Sequence, residues 1–215
     1  FVLGMCVIRH RMKWWLFAGS VFFILLALGR NFDGFNDFMF HYLPMYNKFR
    51  TVEMALVIPG LVFPIIGVWG LKEILSGAVA DARFRKGLLA SLAFTGGLSL
   101  ILWLMPSLFL DFRSSYDAQY QLPDWYYNAL LLDRASLASA DALRSLVFIL
   151  LGASLLFWYY QSKNRTRIET YVILGLSVLT LCDLWTVDRR YLNDNNFISP
   201  KQNTDVHKMS LSDTE

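Results

Sequence analysis

RNFDGFNDFMFHYLPMYNKFRTVE, residues 30–53, is too polar to span a bilayer and too aromatic to be a plain linker. It carries Phe32, Phe35, Phe38, Phe40, Tyr42, Tyr46 and Phe49 among Asp33, Asp37, His41, Lys48 and Arg50. Rings mixed with polar groups suit the headgroup layer of a membrane, where one end of a side chain is dry and the other wet. Apolar blocks flank it on both sides, residues 14–29 and 54–71. A polar aromatic loop between two apolar blocks reads as a segment that leaves a bilayer and returns to it. The fold expected from this reading is an all-α, polytopic transmembrane helix bundle.

Composition agrees. Hydrophobic residues are 55% and charged residues 17% of the 215, whereas soluble domains carry about 25% charge. The apolar residues also fall in blocks, as spans require. A net charge of +3 gives no basis for nucleic acid binding. Cys6 and Cys182 are isolated, so neither a disulfide framework nor a metal spacing is present; both are expected to be buried small apolar residues.

Outward from the loop, residues 1–8 (FVLGMCVI) read as the tail of a first span, so the chain is expected to be a portion of a longer protein. The second span, 14–29, has 16 residues, about 24 Å at helical rise. The third, 54–71, contains Pro59, Gly60 and Pro64. Each proline removes a backbone donor and would free the carbonyl four residues earlier, Ala55 and Gly60. The fourth, 87–110, includes Gly96 and Gly97, which would permit close helix approach. Residues 111–145 form a second long polar segment, with a helix start at Pro123-Asp124. The fifth span, 146–160, could continue that helix without a break. The sixth is 168–187, followed by a polar tail, 188–215, expected to begin a soluble region.

The short loops at 9–13, 72–86 and 161–167 are net basic. The segment 30–53 is neutral, and 111–145 has three basic against five acidic residues. Short basic loops stay in the cytoplasm, so the alternation puts both long segments and the tail outside. Asn164-Arg165-Thr166 matches a glycosylation acceptor pattern but falls on the cytoplasmic side of this topology.

The chain has no Walker loop, dinucleotide fingerprint, HExxH or GxSxG, and His10, His41 and His207 lie in separate segments. Neither a cofactor nor a metal is expected. What remains is a set of ionisable and aromatic groups for membrane lipids or a lipid phosphate: Asp37, His41, Tyr46, Lys48 and Arg50 in the first segment, Arg134, Asp141 and Arg144 in the second, and Asp183 and Arg190 near the end of the last span. Basic residues at the headgroup level attract phosphate, and Arg does so bidentately. Asp133, Leu137, Asp141 and Arg144 share one helical face. Asp183 is an acid inside a span, a functional position by default, or else it pairs with Arg189 or Arg190. Lys48 and Arg50 serve equally as interfacial anchors, and Asp33 with Asp37 as a solvated face.

Three stretches carry a family resemblance: FNDFMFHYLPMYNKFRTVEMALVIPGLVFP (35–64), LLDRASLASADALRSLVFILLG (131–152) and DLWTVDRRYLND (183–194). Their order resembles the YfhO-like family of bacterial membrane proteins, which looks like the GT-C lipid-linked sugar transferases. The resemblance implies a multi-pass protein of the bacterial cytoplasmic membrane. It also implies transfer of a sugar from a polyprenyl-phosphate donor to a cell-envelope glycan on the outer face. In such enzymes the catalytic acid lies in the first outer loop, so no catalytic residue is assigned here. A flippase or transporter of lipid-linked glycans, or a non-catalytic membrane subunit, would use the same features.

Overall fold

Apolar blocks without β-turn punctuation fold as helices, and the chain is all-α. The computed structural model describes residues 1–43, 46–48, 52–114, 117, 123–162, 164–192 and 196–197, with Arg30, Asn47 and Val52 by backbone alone. The α-helices are α1 (Val2–Val7), α2 (Met12–Ala27), α3 (Asp33–Tyr42), α4 (Val57–Leu75), α5 (Asp81–Ser91), α6 (Gly97–Leu104), α7 (Asp124–Gln161) and α8 (Arg165–Tyr191). A π-helical stretch, Leu92–Gly96, joins α5 to α6. Among the described residues four helical stretches are long and apolar enough to cross a membrane: Glu53–Leu75, Asp81–Leu104, Asp124–Gln161 and Arg165–Tyr191. Met12–Ala27 is apolar but shorter.

Local chemistry sets the helix ends. Gly29 and Gly77 adopt φ of 48° and 71°, conformations that side chains disfavour, and they follow the last turns of α2 and α4. Helix α4 is led in by a 3₁₀ turn, Val52–Leu56. Pro59 therefore lies in the first turn of α4, where a missing N–H costs nothing. Only Pro64 sits in the helix interior. The expectation of two freed carbonyls reduces to one, that of Gly60. The expected loop at 72–86 shrinks to the turn between Leu75 and Asp81, and its cations Arg83, Arg85 and Lys86 ride on the first turns of α5. Helix α7 begins at Asp124 and runs 38 residues to Gln161, so residues 124–145 of the second polar segment and the fifth span share one helix.

Contacts divide the chain within α7 into two compact units, Phe1–Ala153 and Ser154–Glu215. In the first unit α1 packs on both α4 and α5, and α2 packs on α4. Glycines make the α1 contacts possible. A side-chain carbon at Gly4 would run into the Ile66 carbonyl. One at Gly70 would lie 2.5 Å from the Gly4 Cα, and one at Gly87 3.0 Å from the Cys6 Cβ. On α4 the buried residues Val62, Ile66, Gly70 and Ile74 recur at every fourth position and face this contact. Gly96 and Gly97, expected to mediate close approach, do not need to be glycine: at Gly96 the nearest atom would be 3.8 Å away, and Gly97 faces open space. Lys13 is buried. Its Nζ donates to the carbonyls of Met5 at 2.5 Å and Ile8 at 2.6 Å, capping the end of α1.

In the second unit the end of α7 packs on α8 through Leu155 against Gly175, with Tyr159 and Val172 buried. Most of the apolar surface of α8 faces outward; Trp185 is 72% and Leu181 66% exposed. Cys182 is exposed as well, correcting the expectation of burial. In water such surface would drive aggregation. In lipid it is the matched face, because helices satisfy their backbone internally. The chain is a membrane protein on this pattern.

Candidate functional site

Phe35, Phe38, Met39 and Tyr42 recur at three, one and three, one face of a helix. That spacing was the available signal for α3, which folds much of the first polar segment. Phe35 meets Phe22 of α2 edge to face, with ring centroids 6.4 Å apart, and stacks on Phe32 at 5.7 Å. Phe38 and Tyr42 lie side by side at 4.9 Å and are exposed. Asp33 and Asp37 occupy the opposite face and are exposed. His41 Nδ1–H donates to the Asp37 carbonyl at 2.8 Å, so the imidazole is held by the backbone and not by the carboxylate. Tyr46 is buried, and its hydroxyl donates to Asn36 Oδ1 at 2.9 Å. It acts as the bolt that returns the chain onto α3, and Asn36 is its unforeseen partner. Lys48 is exposed at the end of the Tyr46–Lys48 turn. Arg50 lies outside the described residues.

The second segment has a firmer construction. Arg134, on α7, makes a two-pronged bond to Asp117: Nη1 to Oδ2 and Nη2 to Oδ1, each 2.8 Å. Nη1 also donates to the Phe112 carbonyl at 2.8 Å. The Ser114 N–H donates to Asp117 Oδ2 at 2.9 Å. Asp117 is buried. The Arg134 guanidinium, and after it the Ser114 N–H, hold its carboxyl down at about 2. Arg134 is thereby committed to the protein, as a clamp that ties Phe112 and Asp117 to α7. Asp117 was not among the candidates, and seventeen residues of separation with no helical period linking the two left no sequence signal for the pair.

Beside the clamp lies an open groove of about 590 Å³, within the usual range for small-molecule sites. Leu108, Phe109, Leu110 and Phe112 line one side. Leu131, Leu132 and Ala135 of α7 supply the other. Its polar lining is Ser107, Asp111 and Arg113. Asp111 and Arg113 are both exposed, and the Arg113 N–H donates to Asp111 Oδ1 at 3.1 Å.

The remaining candidates are arranged in sequence-local sets. Arg144 Nη1 lies 3.9 Å from Asp141 Oδ1 one turn earlier on α7. Asp183 and Arg190 belong to the second unit, on the last turns of α8, where Arg189 and Arg190 complement the helix dipole. The Asp183 carbonyl accepts the Thr186 hydroxyl at 2.8 Å. The pairs formed by His41 with Asp37, Tyr46 with Asn36, Arg134 with Asp117 and Arg144 with Asp141 are each internal to one segment. Among the described residues no group of three His, Cys, Asp or Glu could hold a metal. A comparison with protein families, curated proteins and solved structures finds no match.

Proposed function

We propose that the chain is part of a multi-pass protein of the bacterial cytoplasmic membrane, similar to the YfhO-like proteins. In this reading it helps transfer a sugar from a polyprenyl-phosphate donor to an envelope glycan at the outer face. The observation that carries the reading is that each polar segment between apolar helices has a side-chain fastening among its described residues. Tyr46 bolts the first to α3, and Arg134 clamps the second to α7. A linker has no use for such fastening; a wall of a binding site does. Lys48 and Arg50 offer cations to a donor phosphate, Asp37 and His41 offer hydrogen-bond groups to a sugar, and exposed Phe38 and Tyr42 offer a stacking face. Arg134 has a positioning role, since its nitrogens already serve Asp117 and Phe112. Arg144 and Asp141 form a charged patch on α7, and Asp183 with Arg190 a second one on α8.

The test is envelope glycan analysis in cells carrying the full-length protein with Arg50→Ala. A lost or shortened glycan at normal protein level is expected; unchanged glycans at normal level would sink the transferase reading. One observation favours a second reading, a flippase for lipid-linked glycans. Helix α4 carries Pro64 in its interior, and the next apolar stretch contains the π-helical turn Leu92–Gly96. Prolines and π-bulges inside spanning helices recur at functional sites and in transport paths. Accumulated lipid-linked glycan on the cytoplasmic leaflet in the same variant would identify that case.

A further inference from the structure

The groove beside the Arg134 clamp combines three properties. Its walls are apolar, from Phe109, Leu110, Leu131, Leu132 and Ala135. It follows the end of α6 at Leu104, where a stretch long and apolar enough to cross a membrane ends. Its charged lining is one carboxylate and one guanidinium, Asp111 and Arg113, two residues apart and held in a local turn by the Arg113 N–H bond to Asp111. We propose that this groove is a selective site for a zwitterionic aminophospholipid, with acyl chains along the apolar walls, the phosphate on Arg113 and the primary ammonium on Asp111.

The charge balance decides the ligand class. A purely cationic site would favour an anionic lipid. Here Asp111 repels added negative charge and accepts hydrogen bonds from a primary ammonium. A quaternary choline ammonium has no N–H to give, so the ethanolamine headgroup is preferred over choline and over glycerol. Arg134 is a positioning residue: through Asp117 and the Phe112 carbonyl it sets the wall on which Arg113 stands. The proposal is independent of the transferase reading, since it needs neither a sugar donor nor an acceptor.

The experiment is native mass spectrometry of the full-length protein released from mixed vesicles with equal phosphatidylethanolamine, phosphatidylglycerol and phosphatidylcholine. Phosphatidylethanolamine is expected to be retained over the other two. Arg113→Gln should reduce retention about tenfold, the scale of one lost charge-assisted pair, and Arg113→Lys should restore part of it. Asp111→Asn should keep a bound lipid but erase the preference for ethanolamine. Equal retention of the three lipids by the unaltered protein, or retention unchanged in Arg113→Gln, would overturn the proposal. Both side chains are exposed, so neither variant threatens folding. Leu132→Trp, which fills the groove without touching a charge, should release the lipid too; retention by that variant would also count against the site.

Discussion

The bond between Arg134 and Asp117 shows what a single pair can do in a segment without regular structure. Residues 111–114 have no helical or strand ladder to hold them, so side chains take over the backbone's task. Asp117 accepts from Arg134 and from the Ser114 N–H, while Arg134 also takes the Phe112 carbonyl. Because the folded carboxyl titrates at about 2 against an ordinary 3.8, its contribution to stability is complete above the ordinary value. It is lost as pH falls through the depressed one. Thermal unfolding of the solubilised protein should therefore show Asp117→Asn less stable at neutral pH. The gap should close as pH drops from about 4 to about 2. Curves that stay parallel over that window would remove the clamp from the account. The sequence made Arg134 visible as a cation in a polar stretch but not its partner, since charge alone does not distinguish five aspartates in one segment. It likewise made Tyr46 visible as one ring among seven, and nothing in that set marks it as the one that is buried and bonded to Asn36.

Helices were the most legible level, because a block of apolar residues in lipid has few alternatives. The start of α7 at Asp124 follows from Pro123, and the unbroken run to Gln161 follows from the absence of proline, with Gly152 its one glycine. How helices meet was not legible, because a glycine in a sequence does not say what it faces. Gly96 and Gly97 drew attention as a pair, yet the close contacts fall at Gly4, Gly70 and Gly87. The consequence is a prediction of opposite signs. Gly70→Ala pushes a carbon into the Gly4 backbone, and backbone cannot rotate away as a side chain can. It should cost about 1–3 kcal/mol, the usual penalty of overpacking. Gly19→Ala, in the interior of α2 with nothing within 4 Å, should be neutral or stabilise by up to about 1 kcal/mol through helix propensity. Thermal unfolding in one detergent checks both. Equal effects would mean that α1 does not pack against α4 as described.

At the scale of the whole molecule, the arrangement across the membrane depends on α2. Its 16 residues reach about 24 Å, short of a hydrocarbon core of about 30 Å, whereas the four longer stretches have length to spare. Spanning by α2 requires local thinning or help from its flanks, at a modest cost per ångström of mismatch. Two features supply that help. Trp14 and Trp15 are exposed at its start and suit the interface. The 3₁₀ turn Gly29–Phe32 and α3 continue the chain with aromatic residues at its other end. The charge alternation of the sequence predicts residues 30–53 outside and the short basic stretches 72–86 and 161–167 in the cytoplasm. Alkaline phosphatase fused after Phe40 should be active, and fused after Ala78 or Ser162 inactive. If α2 lies along the surface and does not cross, residue 40 stays on the side of Arg9 and Arg11. The fusion after Phe40 would then be inactive and the one after Ala78 active, because α4 still crosses. That exchange of outcomes would also move the Tyr46 bolt and Lys48 to the cytoplasmic face, and with them any donor site built on them.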